Sequence, residues 1–193
     1  DAIALIDKYY ADNPRLRELL WIHSRQVADR CLKIAALHPD WIWTGIFEEA
    51  ALLHDIGILH THAPGILCMG DAPYICHGYL GAEMLRAEGF PLHARVCERH
   101  TGAGLSQEEV VAQGLPIPVQ DYYPETLEEQ LICYADKFYS KSHPDREKTP
   151  EQALKEREQV WRGWGTAFSA LDGTFYGKSR GIKRILCNFA FAY

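Results

Sequence analysis

The chain has 193 residues, of which 47% are hydrophobic and 11% aromatic. These proportions exclude a disordered chain and favour one globular domain that is long enough to bury a core. The formal net charge of −6 argues against sequence-independent binding to nucleic acid or to an anionic membrane, since both need a basic surface. A phosphorylated substrate stays compatible, because a bound divalent metal would reverse the local charge.

The cysteines indicate a reducing compartment. Six are present, at Cys31, Cys68, Cys76, Cys97, Cys133 and Cys187. None belongs to a Cys-x-x-Cys pair, and a domain of this size does not need disulfides to be stable. We see neither a signal peptide nor an apolar run of membrane-spanning length, so we expect a cytoplasmic protein with reduced thiols.

The first strong helix signal is Asn13-Pro14, an N-cap residue followed by proline at the first helical position. Apolar residues and one histidine then recur at steps of three and four, at Leu16, Leu20, His23, Val27, Cys31 and Ile34. This period predicts a long helix with His23 on its buried face. A second helix is predicted to start after Thr44 and to carry Phe47, Ala50, Leu53, His54 and Gly57.

Glycine and proline divide the middle of the chain. Residues 60–76 are rich in both and predict a loop. Two short helices follow, one from His77 to about Glu88 and one from Leu92 to His100, and glycines end both.

Two capping boxes mark later helix starts, Ser106 with Glu109 and Thr126 with Glu129. The segment 114–125 between them contains three prolines, which predicts an ordered loop or an extended lid.

The C-terminal part predicts two more helices. A charged helix is expected from Thr149-Pro150 to about Trp164, and a last helix within 174–192. We therefore predict an all-α fold, a compact multi-helix bundle with its candidate site in the centre. It would be one domain over residues 1–193, with a core of about 14–142 and a helical extension of about 150–192.

The most informative segment is 51–60, where His54 and Asp55 stand side by side among apolar residues. A buried ionised carboxylate is costly unless it is paired or coordinates a metal. Four further residues of metal-ligand type flank the pair: His23, His77, His100 and Asp136. Each alone could be a hydrogen-bonded core residue or a surface residue. The whole series, at positions that helices could direct inward, is typical of a metallohydrolase.

The ligand types indicate the metals. Imidazole and carboxylate together suit Fe, Mn, Zn, Ni or Co better than Ca, and Mg remains an option. Four histidines and two aspartates could hold two metals about 3.5–4 Å apart, a pair that clamps the attacking and leaving oxygens in phosphoryl transfer. On a helix, His54 and Asp55 would point about 100° apart, so one could serve a single metal while Asp55 bridges two.

At these residues the chain resembles the HD-domain metal-dependent phosphohydrolases, in their His-Asp-Ile-Gly branch. The resemblance is carried by His23, by His54-Asp55-Ile56-Gly57, and by Asp136 within Tyr-Ala-Asp-Lys. The segments His77–Leu85 and Glu98–Gly102 look like the additional histidine pair of members with two metals. The resemblance covers roughly residues 20–142.

The resemblance implies an all-helical hydrolase of phosphomonoesters or phosphodiesters, usually of nucleotides. The first metal would be bound by His23, His54, Asp55 and Asp136, and the second by His77 and His100 with Asp55 bridging. A metal-activated hydroxide would attack phosphorus. Lys137 and Arg99 are candidates to bind a phosphate oxygen. For each of them, the alternative that it is an ordinary surface cation is equally open.

The chain differs from two groups of enzymes in this superfamily, and these differences narrow the range of expected substrates. Cyclic-dinucleotide phosphodiesterases of this superfamily carry lysine after His-Asp-Ile-Gly and a Gly-Tyr-Pro element downstream, whereas this chain has Ile58 and no such element. Around Arg99 the chain is similar to bacterial dinucleoside polyphosphate hydrolases, but the segment 103–125 departs from them. Within it, Tyr122 and Tyr123 could stack on a base or pack in the core.

Two other functions remain open. Some HD-domain proteins with the same six ligands are di-iron oxygenases, and an HD fold can also serve as a non-catalytic nucleotide-sensing module. We expect a small phosphorylated substrate, preferably a nucleotide, as the partner, with neither nucleic acid nor membrane bound. A homodimer is left open.

Overall fold

The computed structural model describes residues 1–38, 45–102, 104–149 and 152–153. Within these residues it has seven α-helices: α1 (Ala2–Tyr10), α2 (Pro14–Leu37), α3 (Phe47–Leu53), α4 (His77–Ala87), α5 (Pro91–Arg99), α6 (Gln107–Ala112) and α7 (Leu127–Asp136). The predicted all-α fold is confirmed. The helices predicted beyond Thr149 lie outside the described residues, apart from residues 152–153. No helix of the described ranges is long and apolar enough to cross a membrane.

Helix α2 forms as its sequence predicts. The side chain of Asn13 accepts a hydrogen bond from the backbone N–H of Leu16 at 3.1 Å, and Pro14 is the first helical residue. The whole predicted stripe is buried: Leu16, Leu20, His23, Val27, Cys31 and Ile34. The stripe therefore turns His23 toward the core rather than toward solvent.

Helix α1 was not predicted from the sequence. It packs against the helices that carry the candidate site and stabilises the chain next to Asp55. The side chain of Asp1 caps it by accepting a hydrogen bond from Ile3 N–H. Helix α1 packs against α2 and α3. At its end the buried Tyr10 hydroxyl donates a hydrogen bond of 2.7 Å to the carbonyl of Ile56. This bond anchors the chain directly after Asp55.

Helix α3 is shorter than predicted. It ends at Leu53 rather than continuing through Gly57, and a 3₁₀ helix covers Ile56–His60. His54 and Asp55 therefore lie at the junction of two helices, and the expectation that they share one regular α-helix is wrong. Asp55, with φ −109° and ψ 11°, has left the helical region.

A backbone contact explains this junction. A Cβ atom on Gly57 would lie 2.2 Å from the His77 carbonyl oxygen and 2.3 Å from the Gly81 nitrogen. The 3₁₀ helix therefore lies backbone against backbone on α4, a distance that glycine permits. This contact brings Asp55 beside the start of α4, where His77 lies.

Replacing Gly57 by alanine is expected to destabilise the fold and to disturb the site. The added methyl would meet backbone atoms that cannot rotate away, so we expect the free energy of unfolding to fall by about 2 kcal/mol or more. Chemical denaturation monitored by circular dichroism measures the change. Gly65→Ala is the matched control, because nothing lies within 4 Å of its Cβ position, and it should be close to neutral. Equal stability of the two variants would contradict the packing argument.

The segment 60–76, predicted as a loop, contains short regular elements. Strands β1 (Thr61–Ala63), β2 (Cys68–Met69) and β3 (Ala72–Pro73) form a sheet in the order β2-β1-β3. Strand β1 pairs antiparallel with β2 and parallel with β3. Two 3₁₀ turns, Pro64–Ile66 and Tyr74–Cys76, complete the segment. Strands of two or three residues are too short for an alternating pattern to reveal.

The later helix starts match the sequence. Both capping boxes are complete, with reciprocal hydrogen bonds between Ser106 and Glu109 and between Thr126 and Glu129. The segment 114–125 between them is a loop without regular helix or strand.

The loop 114–125 is packed onto the protein. Tyr122 is 3% exposed in a cluster with Leu105 and Val110, and its hydroxyl donates to the Pro118 carbonyl. For Tyr122, core packing is the role observed.

The helices converge on one buried centre. Helix α2 packs on α3 and α7, and α5 packs on α3, α4 and α7. The guanidinium of Arg30 on α2 lies 3.4 Å from the ring centroid of Phe138, just after α7. The five cysteines of the described residues are buried and unbridged, and Cys187 lies outside those residues.

Candidate metal centre

The structure brings all six predicted ligand residues into one cluster. His23 comes from the middle of α2, His54 and Asp55 from the junction after α3, and the others from helix ends: His77 begins α4, His100 follows α5, and Asp136 ends α7. His54 and Asp55 are fully buried, and the other histidines nearly so. Such a cluster of imidazoles and carboxylates is the donor set expected of a transition-metal site.

Asp55 divides the cluster into two halves. Its Oδ2 lies 3.0 Å from His23 Nε2 and 3.1 Å from His54 Nε2. Asp136 completes this first half, with its Oδ1 at 3.1 Å from His23 Nε2. The other oxygen, Asp55 Oδ1, lies 3.4 Å from Nε2 of both His77 and His100. Each half has its ligand atoms within 4.8 Å of one another, so each half could hold one metal ion.

Backbone carbonyls orient three of the histidines. The Nδ1 atoms of His54, His77 and His100 each lie 2.7 Å from the carbonyl oxygen of the residue three positions earlier. A carbonyl can accept but not donate, so each Nδ1 carries the proton and donates it. In the neutral ring the lone pair is then on Nε2, which faces Asp55. Metal-binding histidines are commonly oriented by this kind of hydrogen bond.

The two facing histidines of the second half favour a bound cation. His77 Nε2 and His100 Nε2 lie 3.1 Å apart, each with its lone pair toward the other. Burial lowers the pKa of His77 to about 3 and also lowers the pKa of His100, so both rings are neutral near pH 7. Two facing lone pairs at this distance repel each other, and a metal ion between them would convert the repulsion into two bonds.

The first half is held by charge. Burial acts to lower the pKa of His54, but the charges of Asp55 and Asp136 outweigh it and raise the pKa to about 9. Burial acts to raise the pKa of Asp55, yet the neighbouring Lys141 and His54 hold that pKa well below its usual range. Both aspartates are therefore ionised, as metal ligands must be.

The chain's residues fit a metal at this site. Asp55 Oδ1 is buried and makes no hydrogen bond with the described residues. An unsatisfied buried carboxylate oxygen is costly, and coordination by a divalent ion would satisfy it. Four imidazoles and two carboxylates match Fe, Mn, Co, Ni or Zn.

The two predicted phosphate contacts lie in different places. Lys137 Nζ is 2.7 Å from Asp136 Oδ2 and donates to the His100 carbonyl at 3.1 Å, so it lies at the cluster and positions two of its members. Arg99 instead donates to the Tyr123 carbonyl at 2.7 Å and lies 3.5 Å from Glu125. A contact with substrate phosphate stays a prediction for both.

Sequence reasoning missed two members of the site. Lys141, in the segment after α7, places its Nζ 2.5 Å from Asp55 Oδ2, and its side chain is 11% exposed. Tyr74 stacks on His77, with ring centroids 4.6 Å apart, and its carbonyl orients the same histidine. No sequence motif predicts that either residue belongs to the site, because each lies in a segment without a helical pattern of apolar residues.

The comparison with protein families matches the same region. The family model described as the HD domain matches residues 20–140, a range that contains all six cluster residues. No solved structure matches the chain significantly.

Three relatives are similar to part of the chain. A tRNA (cytidine(56)-2'-O)-methyltransferase of Picrophilus torridus is 43% identical over 96 residues, which are 49% of this chain and 24% of that protein. The enzyme of the same name from Thermoplasma volcanium is 40% identical over 96 residues, 49% of this chain and 25% of that protein. An uncharacterized protein of Methanocaldococcus jannaschii is 45% identical over 86 residues, 44% of this chain and 43% of that protein. The chain thus matches less than half the length of each relative.

Proposed function

The chain belongs to the HD-domain family, and from this premise we propose that it is a metal-dependent phosphohydrolase acting on a small phosphate ester. One observation carries the proposal: the two oxygens of Asp55 face two separate groups of ligand atoms. A carboxylate between two such groups is the arrangement of binuclear phosphohydrolases, in which the two metals lie about 3.5–4 Å apart.

The residues have distinct roles in this proposal. Bound divalent metals would supply a nucleophile near neutral pH and neutralise charge on the phosphoryl group. His23, His54, Asp55 and Asp136 would hold one metal, and Asp55, His77 and His100 the other. Lys137 keeps Asp136 in place through its ion pair. The carbonyl hydrogen bonds of the histidines keep the Nε2 lone pairs aimed at the metals, so the site is organised before substrate binds.

We propose a nucleotide as the substrate class. The negative net charge disfavours a long nucleic acid, while the lysines at the cluster favour a small anion. Two relatives carry the name of an enzyme that acts on a tRNA cytidine, which makes ribonucleotides the first compounds to screen. Methyl transfer itself is not carried over, because this chain matches only about a quarter of each of those proteins.

A hydrolysis screen tests the proposal. Protein stripped with a chelator is loaded separately with Mn²⁺, Co²⁺, Ni²⁺, Fe²⁺, Zn²⁺ or Mg²⁺ and incubated with ribonucleotide mono-, di- and triphosphates. We expect phosphate release with at least one metal and none in the stripped protein, because bound metals would supply the nucleophile. Oxygen consumption by the iron-loaded protein without phosphate release from any compound would contradict the hydrolase and favour the di-iron oxygenase.

A further inference from the structure

Lys141 is a buried cation whose contact the metal site itself would disrupt. Its ammonium lies 2.5 Å from Asp55 Oδ2, the oxygen that faces the His23 and His54 half of the cluster. A divalent ion on that oxygen would repel an ammonium held so near. When Asp55 coordinates a metal ion, the Lys141 ammonium therefore needs another anionic partner within reach.

The neighbours of Lys141 do not supply one. Lys137 already occupies Asp136 Oδ2 at 2.7 Å and also donates to the His100 carbonyl. The charge of Asp136 also acts on Lys141, but its Oδ1 faces His23 in the first half of the cluster. The half-buried side chain of Tyr74, which also interacts with Lys141, is neutral at pH 7. With the histidines neutral, as metal ligands must be, two carboxylates among the described residues at the cluster are thus balanced by two ammonium groups.

Metal binding would give the site an excess of positive charge. Once the histidines, His54 included, are neutral ligands, the charged side chains of the site cancel, and each divalent ion then adds two positive charges. Excess charge of one sign in a buried site is costly, and an entering anion relieves it. A phosphoryl group carries that charge and has several oxygens, so it can meet the metals and an ammonium at once.

We propose that Lys141 is a substrate-binding residue. When Asp55 is bound to metal, the Lys141 ammonium donates a hydrogen bond to a phosphoryl oxygen of the substrate. The Tyr74 side chain, stacked on His77, would border the same position. Lys141 would thus exchange one anionic partner for another, and its flexible side chain allows that movement without a change in the backbone. This inference rests on the proposed function, because it concerns how the same site holds phosphate.

Two binding measurements on Lys141→Met test it. The first is titration of Mn²⁺ into the metal-free protein, where the variant should bind Mn²⁺ as tightly as the wild type or more tightly, because the competing ammonium is gone. The second is calorimetric titration of orthophosphate into the Mn²⁺-loaded protein. Here the variant should bind roughly tenfold more weakly or worse, since it lacks one charge-assisted hydrogen bond.

Controls separate binding from folding. Lys33→Met removes an exposed lysine of α2 and should change neither titration. Lys141→Arg keeps the charge and should retain most of the phosphate affinity, while Lys141→Gln is a second neutral variant should methionine unfold the protein. Circular dichroism confirms the helix content of each.

Each outcome decides between distinct accounts. Phosphate affinity equal to wild type in the neutral variants would overturn the proposal and leave the hydrolase standing. Loss of Mn²⁺ binding would also overturn it, because Lys141 would then be a structural partner of Asp55. Wild-type protein that binds Mn²⁺ but no orthophosphate would overturn the inference together with the proposed function.

Discussion

Replacing Asp55 by alanine is expected to remove bound metal from both halves of the cluster and to abolish turnover. Its two oxygens face the two halves, so neither half keeps its full ligand set without it. Metals supply several kcal/mol of transition-state stabilisation, and each 1.36 kcal/mol is tenfold in rate, so kcat/KM should fall roughly a thousandfold or more. Elemental analysis and a phosphate-release assay on the same sample measure both effects.

The fold should survive the loss of this carboxylate at a cost in stability. Removing Asp55 leaves Lys141 without its ion-pair partner in a buried place, which typically costs about 3–5 kcal/mol. Asp55→Asn preserves the shape while removing the charge, and it should lose metal in the same way. Asp71→Ala, at an exposed position, is the control that should keep metal and turnover. Normal metal content and turnover in Asp55→Asn would refute the bridging role.

Replacing His77 by alanine is expected to remove one metal and leave the other. His77 and His100 supply the two nitrogens of the second half, whereas the first half depends on other residues. Metal content should fall from about two equivalents to about one, and kcat should drop roughly a hundredfold, because one member of the binuclear clamp is lost. Quantitative metal analysis after gel filtration measures the stoichiometry.

The histidine control is close in sequence but exposed. His62→Ala lies in strand β1, outside both halves of the cluster, and should leave metal content unchanged. A His77→Ala protein with the wild-type metal content would show that His77 is not a metal ligand.

Local signals in the sequence predicted much of the helical fold. The N-cap and proline before α2, its buried stripe, and both capping boxes all describe contacts within a few residues of one another. Such contacts depend on the local chain and are therefore readable from it. The six cluster residues could be predicted because their chemistry and order resemble a known family, although their distances could not.

What sequence reasoning missed depends on contacts between distant segments. Helix α3 ends at Leu53 because the following turn must lie against α4, where Gly57 meets His77 and Gly81. Nothing in residues 47–57 alone reveals that contact. Lys141 was missed for the same reason, since its partner is 86 positions earlier in the chain and no local pattern joins them.

The most direct test of the binuclear site is a crystal structure of the Mn²⁺-loaded protein with an anomalous difference map. We expect two peaks about 3.5–4 Å apart, one beside His23, His54 and Asp136 and the other beside His77 and His100, with Asp55 between them. A single peak, or two peaks that do not share Asp55, would contradict the account.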